Sequence, residues 1–498
     1  MRLRNALLKN WERFYIGLAM ILVVFAVYIS IAAFYPGIYT YDSSDQLRQA
    51  ITEKYINWHP PLMAWFWSKL IKLTGYDDSL FLFHMLLLIL GGCFWVLLFK
   101  RMGLGYFSLL IPVVLASPIV INFSGVVWKD VGFAYSMLLA FSIVGLCCYS
   151  KENHIFLLMS AICLLLYAVG VRLNGIFSAF PVLVLIAWIV IGYLKTGFSL
   201  KIKIIASLSI AFVLIVTILG GIELFNFKII KPMKENAFYP TEIWDLLGIS
   251  KISGANYFPD FIKESTKNDL ISMVVEYDKS ITPITSDGQS YCCCVDNIFA
   301  AYHHVLWDTN HPEYPELLTK SWIKAIIAEP MAYIKHRTNV SKCLLKGVYT
   351  YDVSQENQSR KSVFNATSVP LAKIKFSNFH LYNVAGARSF VFYLVHLSNK
   401  TFIYTGWFWI SLSIIEFFIG LTFFIKNNNY IIIIMMSSSG ILYAIPYFLL
   451  SPSSDFRYFY WTTISGSFNV ILIIALIISA LFKAPPHALI HRVSLVHK

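Results

Sequence analysis

The chain alternates long apolar runs with short polar turns, and the alternation is interrupted once by an extended polar stretch. Runs of about 20 apolar residues, the length a helix needs to cross a ~30 Å hydrocarbon core, fall near residues 14–34, 80–99, 105–122, 131–149, 155–170, 176–194, 204–222, 403–425, 430–450 and 462–482. This pattern predicts an all-α polytopic membrane protein of about ten transmembrane helices. The run at 155–170 is short and its neighbour begins just after Gly170, so the pair reads either as two spans or as one broken helix. Residues 223–402 hold no run long enough to span and read as a separate, mostly helical outer domain. Within it Leu317, Leu318, Trp322, Ala325, Ile326, Met331, Ile334, Val340 and Leu344 recur at helical spacing, with a bend expected at Glu329–Pro330. Glu242 to Leu247 and Phe261 to Val275 read as shorter helices. The chain therefore divides into a membrane module at 1–222 with a first outer loop at 35–79, the outer domain at 223–402, and a second membrane module at 403–498.

Composition agrees: 57% of the 498 residues are hydrophobic and only 13% are charged, which excludes an ordinary soluble domain. The distribution of the cations gives the segments a side, because Lys and Arg collect in short cytoplasmic loops. With ten spans, Arg2, Arg4, Lys9, Arg13, Lys100, Arg101, Lys151, Lys195, Lys201, Lys203, Lys426, Lys483, Arg492 and Lys498 fall on one side. The short turns of the other side hold Lys129, Arg172 and Arg457, with four more cations in the longer 35–79 loop. Both termini are thus expected to be cytoplasmic, in the plasma membrane of a bacterial cell. The run from Phe14 to Phe34 has full span length and reads as a retained anchor rather than a cleaved signal. The net charge of +13 is spread over turns and the outer domain, which suits anionic lipid headgroups and not nucleic acid. Cys93, Cys147, Cys148 and Cys163 lie in apolar runs. Cys343 and the run Cys292-Cys293-Cys294 lie in the outer domain, where an oxidising compartment permits a disulfide but no spacing calls for one. Glycine-rich phosphate loops and nucleotide fingerprints are absent from the sequence.

The polar motifs that remain share the outer side. The first loop carries Tyr41-Asp42-Ser43-Ser44-Asp45 and Trp58-His59-Pro60-Pro61. Here Asp42 or Ser44 reads as a helix N-cap and Pro60 or Pro61 as a first-turn residue. Two carboxylates near a His held by Pro-Pro also form a compact set of proton-transfer groups. Trp128-Lys129-Asp130 opens the fourth run, with Lys129 as a cation for phosphate and Asp130 as an acid able to bind a metal or orient an acceptor hydroxyl. Arg172, in a short turn with Asn174, needs a partner, and an anionic ligand is one candidate. Asp455-Phe456-Arg457-Tyr458 precedes the last run, with Arg457 as a fork for phosphate. His59, Asn174, Asp455 and Tyr458 are the candidate substrate-binding residues beside these.

Taken together, Tyr-Asp-Ser-x-Asp-Gln, His-Pro-Pro-Leu followed by an amphipathic juxtamembrane helix, Trp-Lys-Asp, Arg-Leu-Asn-Gly at 172–175, Glu-Pro-x-x-Tyr-x-x-x-Arg at 329–337 and Asp-x-Arg-Tyr resemble a bacterial branch of the GT-C class of integral membrane glycosyltransferases. That class includes protein mannosyltransferases, aminoarabinose transferases and oligosaccharyltransferases. The resemblance implies transfer of a sugar from a polyprenyl-phosphate donor to a glycan, lipid or protein acceptor. It implies Asp42 or Asp45 as the first-loop catalytic carboxylate, Asp130 as the second-loop acid, and Arg457 or Arg172, with Lys129 beside them, on the donor phosphate. No cofactor is required by the sequence; if a divalent cation, Mg or Mn, takes part, Asp42 and Asp130 are its candidate ligands. The large domain between the seventh and eighth runs departs from the class pattern. The chemistry asks for the same inventory: the leaving group is a phosphate, so cations must stabilise its charge and one carboxylate must accept the acceptor's proton. Two other readings use different residues. A lipid-linked polysaccharide polymerase or ligase would employ the same carrier, whereas a transporter or flippase would need ionisable groups deep in the spans, where His84 and Glu416 stand, with Glu223 at a span end.

Overall fold

The computed structural model describes residues 2–150, 152, 154–194, 197–265, 285–286, 289–290, 311, 313–346, 385–398, 401–427 and 430–483. In chain order its helices are α1 (Arg2–Phe34), α2 (Tyr41–Thr52), α3 (Leu62–Thr74), α4 (Ser79–Arg101), α5 (Leu110–Leu115), α6 (Pro118–Ser124), α7 (Lys129–Cys148), α8 (Ile155–Val171) and α9 (Ile176–Tyr193). They continue as α10 (Leu200–Phe225), α11 (Tyr239–Ser253), α12 (Asp260–Ser265), α13 (Tyr314–Ala328), α14 (Pro330–Lys346), α15 (Ala385–Ser398), α16 (Gly406–Lys426), α17 (Ile431–Leu450) and α18 (Tyr460–Lys483). A two-residue strand pair joins Thr285–Ser286 to Gln289–Ser290.

Among the described residues eight helices are long and apolar enough to cross a membrane, or nine if one bent pair counts as a span. The protein is therefore an all-α, multi-pass membrane protein. The bent pair is the run expected at 105–122: α5 and α6 meet at 54°. The break is local chemistry, since Ser117 precedes a proline, which disfavours helical backbone at that residue, and it is extended with ψ 146°. The apolar pair at 155–194 resolves into two helices. Arg172, with φ −148° and ψ 89°, ends α8. The helix α8 packs against α7, whereas α9 packs against α10 and α17.

The helices alternate in direction. At one end the starts of α7, α9 and α18 meet the ends of α8, α10 and α17 around a common cavity. At the opposite end Arg101 at the close of α4 donates from Nε to Tyr149 O at 3.2 Å, just past α7. The bent pair and α8 run between the same two ends, so all the motif loops gather at one end, as the loop charges require.

The outer domain folds on its own small core of Ile243, Trp244, Leu247, Leu318, Ala325 and Val340. The expected bend falls at Glu329, which separates α13 from α14, and the helix expected at 242–247 is the longer α11. Of the helix expected at 261–275, α12 accounts for the start, and the remainder lies outside the described residues. The boundary expected at 222/223 lies later, because α10 continues through a π turn at Asn226–Ile230. Cys343 is disulfide-bonded, and residues 292–294 lie outside the described residues.

The motif at 329–337 joins this domain to the bundle. The last carbonyls of a helix lack partners within it, and α14 supplies them to α17. Tyr333 donates to Leu449 O at 3.4 Å, Ser341 to Phe448 O at 3.4 Å, and Arg337 to Ser451 O at 2.8 Å. Arg337 also grips the buried Asp245 with Nε at 2.7 Å and a second guanidinium nitrogen at 2.8 Å. Trp322 Nε1 donates to the same carboxylate at 2.8 Å.

Candidate active site

The loop after α1 and the loop before α7 are stitched together by the backbone. Ile38 N donates to Gly125 O at 2.8 Å, Val127 N to Ile38 O at 3.1 Å, and Ser43 Oγ to Val127 O at 2.9 Å. Gly37, at φ +110°, permits this approach, because a Cβ there would stand 2.7 Å from the Val127 side chain. The first helix of the loop, α2, is capped by Thr40, not by Asp42 or Ser44 as its sequence first reads: Thr40 Oγ1 accepts from Ser43 N at 3.4 Å and from Trp128 Nε1 at 2.8 Å. With Thr40 as the cap, Asp42 occupies the first turn, where a carboxylate is favoured by the helix dipole, and it faces the cavity.

That cavity, of about 1880 Å³, is lined by Asp42, His59, Lys129, Arg172, Asn174, Asp455, Arg457 and Tyr458 among others. Arg457 is its centre. One guanidinium nitrogen meets Asp42 Oδ2 at 2.8 Å and Nε meets Asp455 Oδ2 at 2.8 Å. Its plane lies 4.9 Å from the Trp128 ring and 5.5 Å from Tyr458. Asp455 also accepts from the Arg457 amide at 2.9 Å, so one residue both caps the short turn before α18 and aims the guanidinium. On the other side of Asp42, His59 Nε2 stands 3.7 Å from Oδ1, and His59 Nδ1 lies 2.6 Å from Lys129 Nζ.

Three shifted acidities follow. Burial pushes the Asp42 carboxyl up, but Arg457, then His59 and Lys129, outweigh it and hold the group well below the usual carboxylate range. Burial, and then the neighbouring Lys129, push His59 below its ordinary value, which leaves a neutral imidazole. Neutral His59 accepts from the Lys129 ammonium through Nδ1, so its proton sits on Nε2 and points toward Asp42. Burial pushes Asp455 up, against the pull of Arg457. Asp42 is thus an ionised carboxylate at the cavity surface, its side chain 29% exposed, with Oδ1 on the side of the neutral His59.

Arg172 has the partner that its position demands, and that partner is a residue of the chain. It pairs with Asp130, and both are almost fully buried, at 4% and 1% exposure. Its Nε donates to Tyr447 at 2.8 Å, a second nitrogen donates to the same hydroxyl, and the guanidinium lies 5.4 Å from the Tyr447 ring. Tyr447 stacks on Tyr458 at 4.3 Å, which links this buried pair to the Arg457 turn.

Two expected residues stand elsewhere. Asp45 does not line the cavity: one helical turn after Asp42, it turns along α2 to accept from Arg48 and, at 2.7 Å, from Gln49 Nε2. Asp130 sits behind Arg172 and does not line the cavity either, so it holds the arginine in place and does not face a substrate. A divalent cation on Asp42 and Asp130 does not fit these residues. Asp42 is already paired with Arg457 and Asp130 with Arg172, and among the described residues no three His, Cys, Asp or Glu side chains gather for a metal. Tyr443 and Tyr447, which carry no motif in the sequence, complete the wall around Arg172. Their spacing of four in a helix just before a Ser-Pro-Ser-Ser turn was the available signal. Compared with family models, curated proteins and solved structures, the chain matches none of them.

Proposed function

We propose that this protein transfers a sugar from a polyprenyl-phosphate donor to an acceptor hydroxyl, with Asp42 as general base. The observation that carries the reading is the position of Asp42: an ionised carboxylate in the wall of a large cavity, set between Arg457 and the His59–Lys129 pair. In the reaction the acceptor oxygen forms a bond to the anomeric carbon while its proton passes to Asp42. The bond between that carbon and the phosphate oxygen breaks, and polyprenyl phosphate leaves with the electron pair. Lys129 and Arg457 stabilise the charge gathering on the phosphate, and neutral His59 keeps the Lys129 ammonium beside the reacting groups. Attack opposite the leaving group inverts the anomeric centre. The lipid tail lies along α10, where Ile205, Phe212, Val213 and Val216 are exposed and lead up to the cavity wall. The concentration of Lys and Arg in the turns at the opposite end supports a cavity on the extracytoplasmic face of a bacterial plasma membrane, with both termini inside.

Purified protein in liposomes, given polyprenyl-phosphate sugars and membrane extract as acceptor, should release polyprenyl phosphate and lose that activity on Asp42→Asn. Release that persists undiminished in the variant would remove the base assignment. Feeding monosaccharide against oligosaccharide donors separates this reading from a polysaccharide polymerase or ligase. The transporter reading needs a mobile charge within the spans. Two of the three candidates are engaged internally, Glu416 by Asn469 at 3.2 Å and His84 with Tyr167 at 3.3 Å, while Glu223 lines the cavity wall. Loss of function in Glu416→Gln with full function in Asp42→Asn would favour transport.

A further inference from the structure

The floor of the cavity is balanced in charge and its rim is not. At the floor Arg457 faces two carboxylates, Arg172 faces Asp130, and Lys129 meets neutral His59. Across the opening the chain leaves α10 through the π turn and turns over at Lys231, whose φ of 51° is a left-handed conformation seldom adopted outside glycine. Its amide donates to Asn226 O at 2.7 Å. The residues that follow are tied across the first outer loop: Met233 N donates to Tyr55 O at 2.9 Å, Asn57 N to Met233 O at 3.1 Å, and Glu235 N to Asn57 Oδ1. A segment fixed in this way sets Lys228, Lys231 and Lys234 in the cavity wall, all three exposed.

Among the described residues none of these lysines has a carboxylate partner. Glu223 and Glu235 share the wall, two acids against three lysines. Burial, and then the nearby Asp45, push the Glu235 carboxyl above its ordinary value, against the pull of Arg48. Lysines that merely snorkel extend from the lipid face of a helix end to the headgroups. Lys231 and Lys234 instead lie beyond the helix, on backbone anchored to the first outer loop, and they border the cavity.

We propose that Lys228, Lys231 and Lys234 form a second anion site, which takes a phosphate-bearing group of the acceptor away from the atoms that react at Asp42. The site's preference for phosphate stands on its charge and anchoring, whereas the assignment of the ligand as acceptor rests on the sugar-transfer reading. A phosphate ester on a water-soluble glycan and one on a phospholipid headgroup offer these lysines the same chemistry.

The test uses full-length protein in phosphatidylcholine nanodiscs, titrated with inorganic tripolyphosphate by calorimetry, and in parallel discs containing phosphatidylglycerol, with melting temperature as the readout. Exposed charge pairs are individually weak, so replacing all three by glutamine should weaken tripolyphosphate binding by roughly tenfold, and replacing all three by arginine should restore it. A loss confined to tripolyphosphate identifies a water-soluble phosphate as the natural ligand. A loss confined to phosphatidylglycerol stabilisation identifies a lipid headgroup. If the glutamine variant behaves as wild type in both arms, the site is refuted. Asp42→Asn should bind tripolyphosphate at least as tightly as wild type, which keeps the two proposals apart. Lysine-dependent binding without any sugar transfer would retain the anion site and remove the transfer reading, and transfer without lysine-dependent binding would do the reverse.

Discussion

Asp42→Asn separates the catalytic role of this side chain from its structural one, because the two have different magnitudes. Asparagine keeps an oxygen for Arg457, and Arg457 keeps Asp455 at 2.8 Å, so the turn before α18 loses only part of one ion pair. With the Asp42 side chain 29% exposed, that pair is screened and worth about 1 kcal/mol or less. Loss of a positioned general base lowers turnover by roughly 10²- to 10⁴-fold, equivalent to about 2.7 to 5.4 kcal/mol in the barrier. The variant should therefore fold, melt close to wild type, bind donor with little change, and turn over at least a hundredfold more slowly. The assay is release of polyprenyl phosphate from a labelled donor in proteoliposomes, with melting temperature recorded on the same preparations. Asp45→Asn is the matched control: its carboxylate faces Arg48 and Gln49 and lies outside the cavity, so its turnover should stay near wild type. Turnover of Asp42→Asn above a tenth of wild type, or a larger loss in Asp45→Asn, would refute the assignment.

Other consequences can be measured independently. Asp130→Asn leaves Arg172 buried without its counter-charge, a loss of about 3 to 5 kcal/mol. The double variant Asp130→Asn/Arg172→Met should recover much of this, as read by unfolding in nanodiscs. Arg337→Ala strands the buried Asp245 and frees Ser451 O, so limited proteolysis should cut the outer domain faster than in wild type. Acidification acts through His59. Folding depresses its pKa, so its contribution to stability is fully present above the unfolded value of about 6.5 and is lost as the pH falls through the lower folded value. The melting temperature should hold through neutral pH and decline below about 6.5, with a smaller decline in His59→Asn.

Among the described residues hydropathy anticipated all eight helices long and apolar enough to span, while two of the ten expected runs, 105–122 and 155–170, prove to be a bent pair and a shorter helix. The signal is strong because backbone polar groups in hydrocarbon must be satisfied within the segment. The bend at Glu329–Pro330 was readable for a similar local reason, since proline constrains its own neighbourhood. The break at Ser117–Pro118 rests on the same rule but is hidden in the sequence, because the apolar run continues through it. The site was less readable. Asp42 and Asp45 are equivalent in sequence, three residues apart in one polar loop, and the choice of Thr40 as the cap sets the helix phase that turns one into the cavity and the other along the helix. Lys228, Lys231 and Lys234 look like ordinary interfacial charges until the left-handed turn at Lys231 and the ties to Tyr55 and Asn57 fix their surroundings.

The sequence by itself determined that this is a multi-pass helical membrane protein with its polar motifs on one face, because burial in lipid and loop charge act on local stretches of chain. Which charges are free and which are spent was decided only by the tertiary structure. Arg172 finds Asp130 across 42 positions of sequence and Arg457 finds Asp42 across 415. Coulomb attraction depends on distance and burial in space, and neither is written in the order of the residues.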